Sequence, residues 1–185
     1  MRQLKMAWKN DGLPPKEPLL PAGCSVKPLP DVEKGVEVWL DIVQYGLSKG
    51  LKDRSYYDKS MASDRYSPED TLFVFCDGEP AATVTVICGE TEGGGRVHMV
   101  ACKPGFRGRG IGTCLSAVAV YELKKRGTKH AYLTTDDWRV PAVKSYLKAG
   151  FLPDIPEGDA EMSSRWEKVL GIISSGRRVP NDGTL

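Results

Sequence analysis

Side chains that bind metals or form disulfides are scarce in this chain of 185 residues. It holds only 2 histidines, and none of its 5 cysteines stands in a Cys-x-x-Cys spacing. We therefore expect no zinc site and no disulfide framework. Cys76, Cys88, Cys102 and Cys114 lie in apolar runs, where free cysteine behaves as a small hydrophobic residue. This cysteine usage favours a reducing, cytoplasmic compartment.

Long hydrophobic runs and an excess of one charge are also missing. No apolar stretch approaches the ~20 residues that span a bilayer. The segment from Met1 to Met6 lacks the apolar core of a secretory signal. The formal net charge of +2 indicates neither a nucleic-acid-binding surface nor a membrane-binding patch. The chain therefore has the composition of one globular domain with a hydrophobic core.

We divide the chain into three parts. Residues 1–22 hold Pro14, Pro15, Pro18 and Pro21 without periodicity, which predicts an arm that lies on the surface or is partly disordered. We expect residues 23–175 to form a single domain and residues 176–185 to form a C-terminal tail.

Hydrophobic periodicity predicts a mixed α/β fold for the central domain. A short strand near residues 24–29 precedes a helix that begins with Asp31 as its cap and ends at Gly50. Two β-rich runs then flank Asp77-Gly78, a hairpin signal. A third strand follows, so that antiparallel strands come before residue 102.

The segment from Gly105 to Thr113 combines glycines with Arg107 and Arg109, between a strand and a helix. Glycines let the backbone approach a ligand closely, and a helix start presents unpaired N–H groups with partial positive charge. The first helical turn, Thr113 to Ser116, contains no acidic residue. The segment predicts a phosphate or pyrophosphate site. The alternative is a glycine-rich turn whose arginines lie in solvent.

A second β-α-β passage follows this helix. The strand from His130 to Thr135 is predicted to run parallel to the strand before the glycine segment. Asp136-Asp137 comes next, then a helix with Pro141 in its first turn that ends at Gly150. A short last strand and a helix around Trp166 complete the domain.

Two motifs together resemble the GNAT superfamily of acyl-CoA-dependent N-acyltransferases. Arg107-x-x-Gly110-x-Gly112 is similar to the family's Gln/Arg-x-x-Gly-x-Gly/Ala pyrophosphate loop. Downstream, Ala142-x-x-x-Tyr146-x-x-x-Gly150-Phe151 is similar to its Asn-x-x-Ala-x-x-x-Tyr-x-x-x-Gly-Phe ending. The resemblance covers roughly residues 70–153. Arg139 stands where the family often has asparagine; it could instead meet a phosphate or a substrate carboxylate.

The resemblance implies a GNAT-type fold that binds acetyl-CoA as co-substrate and acetylates a primary amine by direct attack. It assigns these residues to the cofactor: Val100, Cys102, Arg107, Gly108, Arg109, Gly110, Gly112, Thr113 and Arg139. The acceptor is expected to be a small-molecule amine, and the protein a monomer or homodimer.

The resemblance places Tyr146 where the family supplies a proton to the departing thiolate. A tyrosine on an amphipathic helix is otherwise a core residue with its hydroxyl at the edge. His98 is a candidate base, because its unperturbed pKa of ~6.5 permits proton acceptance near neutrality; a structural histidine is the alternative. Asp136, Asp137 or a water chain are rival bases.

Two other functions fit parts of this sequence. A non-catalytic module would bind acyl-CoA as a sensor without transferring the acyl group. A dinucleotide-binding fold is suggested by Gly108-x-Gly110-x-Gly112 before a helix, although the spacing of the third glycine is wrong and an antiparallel hairpin precedes the motif.

Overall fold

The computed structural model describes residues 2–48, 50 and 52–176. The predicted tail, 176–185, lies outside these residues except for Gly176. The described strands are β1 (Leu4–Lys9), β2 (Cys24–Pro28), β3 (Thr71–Cys76), β4 (Glu79–Cys88), β5 (Gly94–Cys102), β6 (His130–Thr135) and β7 (Leu152–Pro153). The α-helices are α1 (Gly35–Val43), α2 (Arg54–Ser60), α3 (Ile111–Lys125), α4 (Val140–Lys148) and α5 (Ala160–Ser174).

All seven strands form one mixed sheet in the order β2-β3-β4-β5-β6-β1-β7. The strands β2 to β5 pair antiparallel, whereas β6 runs parallel to β5. This confirms the predicted fold class, with antiparallel strands before a parallel β-α-β unit. It also shows that the dinucleotide-binding alternative is wrong, because that fold places its glycine loop after the first strand of a mostly parallel sheet, whereas this glycine loop follows four antiparallel strands.

The β3–β4 hairpin turns at Asp77-Gly78 as the sequence predicts. Both residues have positive φ, 53° and 83°, as a two-residue hairpin turn of type I′ requires. The first helix differs from its prediction. Asp31 ends a 3₁₀ turn, and α1 begins only at Gly35, after Lys34 in the left-handed conformation. The helix ends at Val43, well before Gly50.

Helices cover both faces of the sheet. On one face α1 and α2 bury Trp39, Ile42 and Tyr57 against Phe73 of β3. On the other face α3, α4 and α5 bury a larger core against the opposite side chains of the same strands. Alternate residues of β3 therefore point into different cores, and the sheet is the middle of three layers. None of the described helices is long and apolar enough to cross a membrane.

The first half of the predicted N-terminal arm is instead a strand of the sheet. β1 lies between β6 and β7 and pairs antiparallel with both. Leu4, Met6 and Trp8 alternate into the core and are almost completely buried. The expectation of a surface arm is therefore wrong for residues 4–9. These residues are buried because they pair with a strand that lies more than a hundred residues later in the chain. Residues 11–20 carry no regular structure.

The expectation that Cys76 is free is also wrong. A disulfide joins Cys76 to Cys24, and the β2–β3 register places these residues directly opposite each other. Their separation of 52 residues hid the pair in the sequence. Cys88, Cys102 and Cys114 are free. The disulfide removes the premise from which a reducing compartment was expected.

Candidate active site

The site lies where β5 and β6 separate. The two parallel strands are in register only over Gly94–Arg96 and His130–Tyr132. A β-bulge then interrupts β5. Thr83 pairs with Ala101 and Thr85 pairs with His98, so two residues of β5, Met99 and Val100, lie opposite a single residue of β4. Met99 has a φ of 49°. Because a bulge bends its strand and redirects the side chains, β5 leaves β6 and a gap opens in the sheet.

Two cavities meet at this gap. The cofactor cavity, as we call the larger, has a volume of about 500 Å³. It is lined by Tyr45, Gly46, Leu47, Val100, Ala101, Cys102, Arg107, Gly108, Gly110, Gly112, Thr113, Leu115, Trp138, Arg139, Pro141, Ala142, Lys144, Ser145, Tyr146 and Lys148. The second, which we call the acceptor cavity, has a volume of about 400 Å³. The two share Leu47, Val100, Arg139, Ala142 and Tyr146.

The start of α3 forms one wall of the cofactor cavity. Gly110 precedes the helix with a φ of 83° and gives it no side-chain cap, and the first turn has no acidic residue. Gly108 also has a positive φ, and a Cβ on either glycine would meet no atom within 4 Å. The first-turn N–H groups therefore face open space and lack an internal anion. This arrangement fits a phosphate group.

Gly112 allows α3 and α4 to approach each other at this point. A Cβ on Gly112 would lie 3.2 Å from Ser145 Oγ, which is tighter than an ordinary contact. The two helices thus form opposite walls of the cofactor cavity.

The two loop arginines have different surroundings. Arg107 lines the cofactor cavity, and its guanidinium donates to the carbonyls of Cys102 (Nε, 3.1 Å) and Tyr45. It ties the segment after α1 to the end of β5. Arg109 is half exposed, lies over the Phe106 ring and sits 3.7 Å from Asp77. It is absent from the lining, so the structure does not place Arg109 with the other predicted cofactor residues.

Tyr146 lines both cavities at the gap. Its side chain is only 6% exposed, and its ring packs edge-on against Phe151 at 6.3 Å. The hydroxyl makes no hydrogen bond to any side chain or backbone group in the described part of the chain. Burial raises the pKa of Tyr146 to about 12. At neutral pH the hydroxyl therefore carries its proton and can donate it toward either cavity.

His98 lines the acceptor cavity only. Its Nε2 lies 2.9 Å from the Ser60 carbonyl, which can only accept, so Nε2 carries the hydrogen. Burial is the main reason why the pKa of His98 lies below 6.5, and Arg96 lowers it further. The ring is therefore neutral at pH 7, with its Nδ1 lone pair available to take a proton.

The rival bases are engaged elsewhere. Asp137 accepts from Arg165 on α5, with a distance of 2.9 Å to Nε, and this pair lowers the pKa of Asp137. Asp136 accepts from Arg139 Nε at 2.8 Å and from Gln3 Nε2 at 3.0 Å. Neither carboxylate is among the residues that line the two cavities. Asp136 therefore orients Arg139, and Asp137 attaches α5 through Arg165.

Several lining residues went unrecognised in the sequence. The segment that follows α1 lines the cavity with Tyr45, Gly46 and Leu47. The hydrogen bond from Arg107 to the Tyr45 carbonyl holds this segment in place. On α4 and just before it, the unassigned lining residues are Trp138, Pro141, Lys144, Ser145 and Lys148. Their spacing of three to four residues matches one face of a helix, so the periodicity of α4 could have identified its cationic side.

Comparisons with known proteins agree with this geometry. A family model described as "Acetyltransferase (GNAT) family" matches residues 39–151. An uncharacterized N-acetyltransferase of Methanocaldococcus jannaschii is 32% identical over 112 residues, which is 54% of this chain and 49% of that protein. A mycothiol acetyltransferase of Nocardia farcinica is 36% identical over 59 residues, which is 32% of this chain and 20% of that protein.

A solved structure shares the fold. The GCN5-related N-acetyltransferase from Sphaerobacter thermophilus superposes with a TM-score of 0.64 at 22% identity, over 83% of this chain and 50% of that one. The chain thus spans about half of that structure, and half or less of the two relatives named above.

Proposed function

Because the chain belongs to the GNAT family of acetyltransferases, we propose that it transfers the acetyl group of acetyl-CoA to a primary amine of a small-molecule acceptor. The observation that carries this proposal is the position of Tyr146. This residue lines both the cofactor cavity and the acceptor cavity, and its hydroxyl has no hydrogen-bond partner among the described residues. A donor group at that junction can serve a thiolate that leaves on one side while an amine arrives from the other.

The residues of the cofactor cavity suit acetyl-CoA. The first-turn N–H groups of α3, with Gly108 and Gly110, would hold the pyrophosphate. The β5 edge at Val100 and Cys102 borders the gap in the sheet, which would take the pantetheine arm. The ammonium groups of Lys144 and Lys148 offer further cationic contacts to phosphate. Acetyl-CoA would supply a thioester carbonyl that is activated for attack.

The chain's own side chains would handle the protons. The acceptor nitrogen attacks the carbonyl carbon and the carbon–sulfur bond breaks. His98 Nδ1 takes the proton that the amine loses, directly or through a water molecule. The Tyr146 hydroxyl donates to the sulfur as negative charge develops there. Each step matches the protonation state that burial imposes, a neutral imidazole and a neutral phenol.

Direct attack is favoured over an acetyl-cysteine intermediate. Cys102 is the thiol that lines the cofactor cavity, and burial raises the pKa of Cys102 to about 11. Since the thiolate is the nucleophile, this residue stays protonated and unreactive at neutral pH.

A thiol-release assay tests the proposal. The protein is incubated with acetyl-CoA and with panels of amino acids, polyamines, aminoglycosides, amino sugars and peptides, and mass spectrometry identifies any acetylated amine. We expect free thiol and acetylated product to appear together with at least one class. Binding of acetyl-CoA without thiol release for any amine would instead support the sensor alternative.

A further inference from the structure

The acceptor cavity has a distinctive charge. Its residues are Gln3, Leu47, Tyr56, Arg96, Val97, His98, Met99, Val100, Tyr132, Leu133, Thr134, Thr135, Arg139, Ala142 and Tyr146. Among the described residues that line this cavity, Arg96 and Arg139 are the charged members, and none is aspartate or glutamate. A cavity that bound a polycationic amine would need carboxylates to replace the solvation of its charges. This lining offers the opposite charge.

Arg96 has one hydrogen-bond donor without a partner among the described residues. One terminal nitrogen lies 3.1 Å from Glu90. The Nε atom is buried and has no hydrogen-bond partner among the described residues. A buried guanidinium N–H without an acceptor is uncommon and costly, so this donor indicates an acceptor group that the described part of the chain does not supply.

Thr135 at the end of β6 gives a second, independent sign. Its side chain is 3% exposed, its Oγ1 is buried, and no partner for this atom exists in the described part of the chain. The residue lines the acceptor cavity. Arg96 and Thr135, each with an unpartnered donor, therefore both border the acceptor cavity.

Arg139 adds a second cation to the lining. Asp136 fixes its Nε at 2.8 Å, and the guanidinium stacks on Trp138 with 4.5 Å to the ring centroid. No hydrogen bond to a described residue uses its terminal nitrogens. Stacking and a single ion pair hold the group in place while leaving donors free, which suits recognition of an anion.

Resting on the proposed function, we infer that the acceptor is an amine that also carries a carboxylate, a compound of the amino-acid class. Each arginine is already paired with one protein carboxylate, which leaves little excess positive charge and disfavours a dianion relative to a monoanion. The same cations disfavour the ammonium form of the acceptor and lower its pKa, which raises the fraction of neutral nucleophile.

Binding to the protein saturated with CoA tests the inference without requiring turnover. The probes are individual L-amino acids, their methyl esters and the corresponding decarboxylated amines, compared by calorimetry. We expect at least one amino acid to bind about tenfold or more tightly than its ester and its amine, because a hydrogen-bonded charge pair is lost in both. Equal binding within every such set, or binding of no amino acid, would overturn the inference.

Two variants and one control locate the carboxylate. Thr135→Val and Arg96→Gln should each weaken binding of the selected amino acid by about tenfold and leave binding of its ester unchanged. Arg65→Gln, on an exposed residue outside the lining, is the matched control and should bind as wild type. Since the Thr135 hydroxyl has no partner among the described residues, Thr135→Val should keep the wild-type unfolding midpoint. Unchanged affinity in both cavity variants would contradict the assignment.

The same experiment separates this inference from the proposed function. Selective binding of amino acids without thiol release would refute catalysis and leave the substrate class intact. Thiol release from esters and simple amines at the same rate as from amino acids would support catalysis and refute the substrate class.

Discussion

The Tyr146 hydroxyl has no partner in the described protein and lies between two cavities, although the ring belongs to the core. Tyr146→Phe removes this hydroxyl and keeps the apolar ring. We predict that turnover falls by roughly 10²-fold, the low end for loss of a general acid. Acetyl-CoA affinity and Michaelis constants should change little, because the interaction forms mainly in the transition state. Steady-state kinetics and calorimetry measure these quantities.

The matched control is Tyr121→Phe. Tyr121 lies on α3, outside both cavity linings, and Lys125 lies over its ring. This variant should turn over as wild type. If Tyr146→Phe does so too, Tyr146 is a packing residue and the proposed acid is wrong.

His98 gives a prediction about pH. Burial lowers the pKa of His98 below 6.5, so the neutral base is fully present at pH 7 and is lost as the pH falls through that lowered pKa. The acidic limb of kcat/KM should therefore lie below pH 6.5, and His98→Gln should remove it. An acidic limb that is the same in the variant would assign the proton to another group. The measurement is the pH–rate profile of both proteins with one acceptor.

At the scale of single elements, α4 adds two lysines to the cofactor cavity, whereas the glycine segment supplies only one of its two arginines, Arg107. Lys144 and Lys148 line the cofactor cavity, whereas Arg109 pairs with Asp77 outside it. We predict that Lys144→Gln or Lys148→Gln weakens acetyl-CoA binding a few-fold and reduces its salt dependence, since exposed charge contacts are screened over ~8–10 Å. Calorimetry at two salt concentrations measures both effects.

Arg109→Gln serves as the comparison for these lysines. Its affinity should stay close to wild type at both salt concentrations. A larger loss in Arg109→Gln than in either lysine variant would show that the loop arginine reaches the phosphates in solution.

The elements that the sequence predicted well are those with local signals. The glycine loop, α3 and the Asp77-Gly78 hairpin depend on residues next to each other, and the structure contains all three. The first helix begins later than predicted, since Asp31 ends a 3₁₀ turn instead of capping the helix. The positions of Val100, Gly110 and Tyr146 around one cavity followed from the resemblance. Neighbouring residues alone do not reveal how far β5 and β6 separate.

At the scale of the whole molecule, the missed features are pairings between distant segments. β1 pairs with β6, and Cys24 bonds with Cys76. The alternation of Leu4, Met6 and Trp8 was present in the sequence, but the prolines after it obscured a six-residue strand. Local patterns cannot show which strand provides the partner.

The burial of β1 predicts that it contributes strongly to stability. Met6→Ala should lower the free energy of unfolding by about 2–5 kcal/mol, the usual cost of truncating a fully buried large side chain. Leu19→Ala, at a side chain that is 89% exposed, should change it by less than about 0.5 kcal/mol. Urea unfolding measures both. Equal stability of Met6→Ala and wild type would mean that β1 is not part of the folded sheet.

The central claim is that the opened sheet and the start of α3 together form the acetyl-CoA site. Calorimetric titration of acetyl-CoA into Gly110→Asp and Gly127→Asp tests it most directly. Both glycines have positive φ and open space around the missing Cβ, so the backbone strain is matched, but they lie at opposite ends of α3. We predict that Gly110→Asp abolishes binding, because its carboxylate occupies the predicted pyrophosphate site, and that Gly127→Asp binds within a few-fold of wild type. Wild-type affinity in Gly110→Asp would contradict the account.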